Sequence, residues 1–244
     1  MLTEESCEGI AVIQLYTRSH APHLLEKVGS GMFTAQEHSY VIEHEFAHLF
    51  QSRDTLLRWY LSHNLRKIPA LEFLLNRIRD GKYRRVVSLG AGYCVLEYFL
   101  QLILNDAAAV TATDFDSYVI ARTSELFPQL RAQTFDFFYD DAGTLGPQDV
   151  AVFFGSAYVM DDSQMVALLS GLKKAGIKEI IDFHAGFMSW RHMLRNVVAK
   201  PKADGKLHGF GRNRFELQRL YAKAGWRVVK TASVPAYKFV AVLN

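Results

Sequence analysis

Arg84-Arg85-Val86-Val87-Ser88-Leu89-Gly90-Ala91-Gly92-Tyr93 is the stretch that decides the fold. A β-branched run enters Gly-Ala-Gly and continues into a helical pattern over residues 95–105. Glycines at such a junction let the backbone turn sharply and approach a ligand with no Cβ in the way. In a doubly wound sheet, ligands bind at the carboxyl ends of the strands, where this turn falls. A Gly-x-Gly is also a common tight turn, so the neighbouring segments have to carry the rest of the argument.

The next strand does so. Val110-Thr111-Ala112-Thr113-Asp114-Phe115-Asp116 places a carboxylate at a strand end, 22 residues past Gly92. A carboxylate there can accept both hydroxyls of a ribose, and Asp116 reads as a helix N-cap. Strand patterns recur at 85–89, 109–113, 150–154 and 179–183, with helical patterns at 95–105, 118–126 and 163–175. This alternation predicts a mostly parallel sheet with right-handed crossovers. The tail differs. A helix over 214–224 stops at Gly225, and two strand patterns follow at 226–232 and 237–243. The link between them is too short for a crossover helix, so this pair is antiparallel.

Towards the N-terminus the texture is helical. Thr34 and Glu37 form a capping-box pattern ahead of Tyr40, Val41, Phe46, Ala47, Leu49 and Phe50. Further helical stretches follow at 53–65 and 69–79, with Pro69 in a first turn. The reading is therefore a helical extension over 1–80 and an α/β domain over 81–244.

Half of the 244 residues are hydrophobic, enough for a sizeable core. The two cysteines, Cys7 and Cys94, make no disulfide framework and suggest a reducing compartment. The acidic start MLTEESCEG lacks the basic flank of a secretory signal, so a cytoplasmic location is expected. The longest apolar run, 86–104, contains Gly90, Gly92 and Glu97 and reads as strand, turn and buried helix, not as a membrane span. Charge is unevenly spread: residues 187–230 hold eleven Lys or Arg against Asp204 and Glu216, a net of +9 in a chain of net +3. A solvated basic face explains this, and so does an anionic partner, including nucleic acid.

His44-Glu45-Phe46-Ala47-His48 matches the pattern in which two imidazoles one helical turn apart ligate zinc beside a glutamate base. No third ligand stands at a recognisable spacing, and no strand precedes the helix to frame a cleft. The pair is expected to be incidental, perched near a substrate pocket, and no metal is expected. A zinc hydrolase using His44, Glu45 and His48 is the remote alternative.

Taken together, residues 83–244 resemble the class I S-adenosylmethionine-dependent methyltransferases. Val86 to Gly92 looks like their first motif, and Asp114 like their ribose-binding acid. Thr134-Phe135-Asp136-Phe137 stands where that family often places an Asp for the adenine amino group. The stretch 150–162 resembles the fourth strand and its loop. Leu220-Tyr221-Ala222-Lys223-Ala224-Gly225-Trp226 looks like the turn into the final antiparallel pair. The resemblance implies a Rossmann-like, seven-stranded, mostly parallel sheet with an antiparallel final pair, helices on both faces and the N-terminal helical extension as a cap. It implies S-adenosylmethionine as cofactor and S-adenosylhomocysteine as product. Gly90, Ala91 and Gly92 would face the methionine part, Asp114 the ribose, Asp136 with Phe115 and Phe137 the adenine, and Gly155 and Ser156 the sulfur. Two positions depart from the pattern. Ser88 stands where the family often has Asp or Glu, and would hold a bridging water instead. Cys94 stands where a third glycine is usual, and implies a slightly wider turn.

In this architecture the methyl acceptor lies over the ends of the fourth and fifth strands. Those ends offer Tyr158, Asp182 and His184 as candidate catalytic residues, with His184 as a general base if Asp182 reaches it. The basic, glycine-rich stretch 199–213 reads as a loop over the site, with Lys206, His208 and Arg212 as acceptor ligands. Arg58, Trp59, Tyr60, His63 and Arg66 would line the opposite wall. The expected acceptor is a small molecule taking the methyl group on oxygen or nitrogen. An RNA acceptor is the alternative within the family, and a non-catalytic S-adenosylmethionine-binding module the alternative outside it. No membrane partner is expected.

Overall fold

The computed structural model describes Leu57, Asn64, residues 67–185 and residues 210–244. Seven strands form one sheet in the order β3-β2-β1-β4-β5-β7-β6. They are β1 (Arg85–Leu89), β2 (Ala109–Asp114), β3 (Arg131–Thr134), β4 (Val150–Phe154), β5 (Glu179–Phe183), β6 (Val228–Val234) and β7 (Tyr237–Leu243). Strands β1 to β5 pair in parallel, and β7 runs antiparallel to both β5 and β6. The strand order reverses between β1 and β4. A crevice opens at such a switch point because the flanking crossovers leave to opposite faces.

Among the described residues five helices cover the two faces: α1 (Leu71–Asp80), α2 (Val95–Leu104), α3 (Ser117–Leu126), α4 (Asp162–Lys174) and α5 (Arg214–Lys223). The apolar faces of α1, α2 and α3 close over one side of the sheet, with Leu74, Leu75, Leu96, Phe99, Leu100 and Ile120 in one core. On the other side α4 and α5 bury Met165, Leu169, Leu172, Leu217, Leu220 and Tyr221. The starts of α3, α4 and α5 are set by side-chain caps. Asp116 accepts from the N–H groups of Tyr118 and Val119, while Asp161 with Gln164 and Asn213 with Glu216 make full capping boxes.

The amino ends of the strands are clipped together. The Asp149 carboxylate accepts from the backbone N–H groups of Arg84 and Arg85 and from the side chains of Arg85 and Lys178. Burial alone would raise its carboxyl, but these donors hold it well below the usual carboxylate range. Arg77 of α1 pairs through two nitrogens with the buried Glu179 that starts β5. Helix α1, expected in the N-terminal extension, thus packs into the main core. Leu57 and Asn64 are helical and buried. The 34–50 helical pattern lies outside the described residues.

Candidate active site

Three consecutive turns at the carboxyl end of β1 depend on left-handed backbone: Gly90 (φ 71°), Gly92 (φ 58°) and Cys94 (φ 56°). Gly90 is fixed by crowding as well. A Cβ there would lie 2.7 Å from Cβ of Ser156 and 3.1 Å from the Phe137 ring. Cys94 keeps the conformation that a glycine would adopt freely. Its N–H donates to Ala91 O at 3.1 Å and its thiol contacts Gly92 O at 3.1 Å. Burial raises the thiol well above its ordinary range, so it stays protonated.

The neighbouring strands pin this turn. The Ala91 N–H donates to Thr113 O at 2.8 Å, and the Thr113 hydroxyl donates to Ser88 O at 2.9 Å. Asp114 Oδ2 accepts the Gly92 N–H at 2.8 Å while Oδ1 accepts the Asp116 N–H at 3.1 Å. Burial raises the Asp114 carboxyl, and these two N–H groups oppose the rise. Each carboxylate oxygen can accept further bonds. From the other side, the Ser156 hydroxyl donates to Leu89 O. Gly155, also left-handed at φ 78°, would with a Cβ lie 3.0 Å from Ala185 and 3.4 Å from the Tyr237 ring. The ends of β1, β2, β4 and β5 therefore meet at one place.

The expected adenine side gathers beyond β2 and β3. Phe137 is buried beside Gly90, and Asp136 is half-buried with Oδ1 accepting the Phe138 N–H at 2.9 Å. Phe115 is 62% exposed, so its ring does not line an enclosed pocket.

Ser88 is engaged by a protein side chain. Its hydroxyl donates to Glu97 Oε1 at 2.6 Å, and both side chains are buried. Glu97 lies on α2, and the sequence reading passed over it as one acid in an apolar helix. Burial pushes its carboxyl up to about 7, against the Ser88 hydroxyl and the nearby Lys67 ammonium. A group that titrates near 7 when folded but near 4.5 otherwise stabilises the fold most in acid, and that contribution is lost as pH rises through 7. Relative to the parent, Glu97→Gln should therefore gain stability as pH rises from 5 to 8.5, up to ~3 kcal/mol. Thermal melts of the unliganded pair across that range check this. A constant difference would show that Glu97 is charged throughout.

On the acceptor side the two residues that sequence could not join do converge. His184 Nδ1 lies 3.1 Å from Asp182 Oδ2, and the same oxygen accepts the Tyr221 hydroxyl at 2.6 Å. In the sequence Tyr221 marks only the turn into the final strand pair, and its link to the site comes from the fold. Burial beside Asp182 raises its phenol well above the ordinary range, so it remains a donor. The network assigns the imidazole proton to Nδ1, leaving the Nε2 lone pair free. His184 Nε2, Asp182 Oδ1 and Arg212 Nη1 are buried with no hydrogen-bond partner among the described residues. Tyr158 is half-buried on the turn after β4, and its carbonyl accepts the Phe210 N–H at 2.6 Å.

Arg212, expected on a loop over the site, is instead 2% exposed. It donates through Nε to Asp162 at 3.0 Å and through Nη2 to Met160 O at 2.6 Å. A buried guanidinium requires such partners, and these two tie the segment before α5 to the start of α4. Lys206, His208, Arg58, Trp59, Tyr60, His63, Arg66 and the His44–Glu45–His48 pattern lie outside the described residues. Among the described residues there is no cluster of three metal-ligating side chains.

No protein-family model matches the sequence, and no curated protein matches it. Solved structures do match. Magnesium protoporphyrin IX methyltransferase from Synechocystis, with bound S-adenosylhomocysteine, superposes with a TM-score of 0.56 at 10% identity, over 84% of this chain and 95% of its own. A putative O-methyltransferase from Nostoc punctiforme gives 0.57 at 14% identity, over 80% and 62%. The fold is that of the class I methyltransferases. The methyltransferase domain of a bacterial Hen1 protein shares it too, with a TM-score of 0.53 at 15% identity, over 72% of this chain and 97% of its own. At such identities the methyltransferase fold is shared while the site residues have to be argued one by one.

Proposed function

We propose that the protein is an S-adenosylmethionine-dependent methyltransferase acting on oxygen or nitrogen of a small, anionic acceptor. One observation carries the reading. A left-handed glycine turn pinned by Asp114 and an imidazole oriented by Asp182 stand at the carboxyl ends of β1–β2 and of β5, with β4 between them. Gly90, Ala91 and Gly92 would border the methionine part, Asp114 would take the ribose hydroxyls, Asp136 and Phe137 would hold the adenine, and Gly155 and Ser156 would border the sulfur. The bound cofactor supplies an activated methyl group, so the protein has to align the acceptor and exclude water. His184 Nε2 accepts the acceptor's proton, Asp182 holds the ring by Nδ1, and Tyr221 holds Asp182. The residues ahead of α1 would act as the cap over this site, and residues 81–244, with α1 packed against them, as the catalytic domain. Among the described residues no helix is long and apolar enough to cross a membrane; a cytoplasmic location is part of the proposal.

Titration calorimetry with S-adenosylmethionine and S-adenosylhomocysteine tests the cofactor, and transfer of a labelled methyl group to panels of phenols, amines and RNA tests the reaction. Failure of both nucleosides to bind would sink the reading. Binding without transfer to any panel would favour a non-catalytic module. Asp114→Ala should weaken S-adenosylhomocysteine by about 1.5–3 kcal/mol, because a charged hydrogen-bond acceptor and the brace on Gly92 go together. Unchanged affinity would remove Asp114 from the site.

An RNA acceptor keeps one observation in its favour. Arg214, Arg219, Lys223, Arg227 and Lys230 are all exposed. Acceptor binding that falls steeply with salt would select that reading.

A further inference from the structure

We infer that the Tyr237 hydroxyl, at the start of β7, is a catalytic group that donates a hydrogen bond to the reacting atom of the acceptor and so selects oxygen over nitrogen. This rests on the methyltransferase reading above and narrows its acceptor to a hydroxyl oxygen.

The placement comes from the ends of three strands. β7 runs antiparallel to β5, so Tyr237 begins β7 at the end where β5 stops. The His184 N–H donates to Phe239 O at 3.0 Å and closes that junction. The place a Cβ would take on Gly155, just past β4, lies 3.0 Å from Ala185 Cβ and 3.7 Å from the Tyr237 hydroxyl. The residue after His184 and the Tyr237 hydroxyl therefore meet at one point. On the other side, Ser156 Cβ lies 2.7 Å from the place a Cβ would take on Gly90. A line of short distances thus runs from the glycine turn through Ser156 and Gly155 to Tyr237.

The ring is held so that its hydroxyl is aimed. Its centre lies 5.3 Å from that of the Phe183 ring and 5.8 Å from the Lys67 ammonium. Tyr237 is 2% exposed, and its hydroxyl has no hydrogen-bond partner among the described residues. A buried hydroxyl is expensive to leave unpaired. Burial, with Glu97 and Asp182 adding to it, raises this phenol above its ordinary range, so it keeps its proton and acts as a donor. His184 Nε2, also buried and unpartnered among the described residues, is an acceptor. A donor and an acceptor at the junction of β5 and β7 suit a group that offers both a proton and a spare lone pair.

A hydroxyl oxygen is such a group, with one proton and two lone pairs. In the transfer, one lone pair forms the bond to the methyl carbon as the carbon–sulfur bond breaks, with its electrons left on sulfur. The proton passes to His184 Nε2. The other lone pair accepts the Tyr237 hydroxyl, which stays protonated throughout and fixes the angle of attack. A neutral amine has one lone pair, and the methyl carbon takes it. The amine can only donate to the Tyr237 oxygen, which leaves the phenolic hydrogen buried and unpaired. A site built to hydrogen-bond one group rejects the analogue that leaves it unpaired.

The test uses acceptor pairs that differ only at the reacting atom, such as para-hydroxybenzoate and para-aminobenzoate. With S-adenosylmethionine present, the parent should favour the hydroxyl member in kcat/KM by at least ~10-fold. Tyr237→Phe should lower kcat/KM for the hydroxyl member by roughly 10–100-fold and leave the amine member within about 3-fold, so that the preference collapses. Two further readouts separate this from a structural role. S-adenosylhomocysteine affinity should stay within a factor of about two. The melting temperature of the unliganded variant should match or exceed that of the parent, because the hydroxyl lost has no partner there. A lower melting temperature, or a variant that does not fold, shows that the hydroxyl is paired inside the free protein and overturns the assignment. So does a parent that prefers amines or transfers to neither class, and so does a variant that keeps the parent's preference. In each of these cases S-adenosylhomocysteine binding by the parent leaves the cofactor reading standing. A parent that binds neither S-adenosylmethionine nor S-adenosylhomocysteine removes that reading and the role of Tyr237 with it.

Discussion

Gly90→Val should abolish S-adenosylhomocysteine binding in a protein that still forms its sheet. Two costs act at this position. The backbone sits at φ 71°, where a side chain is strained by about 1–2 kcal/mol, more when it is β-branched. The new Cβ would also lie 2.7 Å from Cβ of Ser156 and 3.1 Å from the Phe137 ring. Neither neighbour is the loose end of a flexible chain, and overpacking of this kind adds roughly 1–3 kcal/mol. The turn relieves both by moving, which takes the Gly92 N–H away from Asp114 and the Leu89 carbonyl away from Ser156. Affinity should fall by at least ~30-fold, since two costs of this size exceed 2 kcal/mol together. Circular dichroism and calorimetry on the same sample decide the matter: native helix content with affinity within a few-fold of the parent would show that the glycine turn is a structural corner and no more.

His184→Ala should lower turnover by roughly 10²–10⁴ while cofactor affinity stays within a factor of about two. The imidazole is 1% exposed, with Nδ1 facing Asp182 and Nε2 unpartnered among the described residues. Asp182→Asn is the sharper companion. It keeps the shape but can present its amide N–H to Nδ1, which moves the ring proton to Nε2 and removes the base without removing the ring. Tyr221→Phe should produce a smaller loss by loosening Asp182. The measurement is single-turnover methyl transfer, once the acceptor panel has yielded a substrate. A His184→Ala enzyme at full rate would show that the acceptor needs no proton removed, and would turn attention to Tyr158.

The elements that the sequence made plain are those with strong local patterns. β1, β4, β5 and β7 fall where their β-branched runs predict, and the short link before β7 forces the antiparallel pairing that is observed. β3 leaves no local signature because it is a four-residue edge strand, half solvated, with no alternation. The sixth strand was predicted two residues early because Trp226 looks like a strand residue. In the structure its indole is buried and donates to Leu169 O at 2.8 Å, and the strand starts at Val228.

Site residues divide on the same principle. Asp114 and the glycines sit at fixed offsets from a strand, so spacing finds them. Glu97 and Tyr221 are joined to the site only across the fold, by bonds to Ser88 and Asp182. Nothing local distinguishes Glu97 from a surface acid in a helix; only its total burial does. Arg212 shows the reverse error. A cation in a glycine-rich basic stretch reads as exposed, whereas Asp162 and the Met160 carbonyl draw it inside.

The placement of β7 bears on when, during synthesis, the protein becomes competent. β7 is the last of the seven strands to leave the ribosome, yet it lies inside the sheet between β5 and β6. The His184 N–H donates to Phe239 O at 3.0 Å, and Tyr237 closes against Gly155. A nascent chain that has emerged only as far as α5 has the glycine turn, Asp114 and the whole parallel half of the sheet. It has no carbonyl to hold His184 and a β5 edge with nothing on it. An unpaired central edge is a site for pairing with another chain. The glycine turn with Asp114 can thus be assembled on the ribosome before His184 gains its backbone partner, and the interval between α5 and β7 is when the growing polypeptide is most exposed to aggregation.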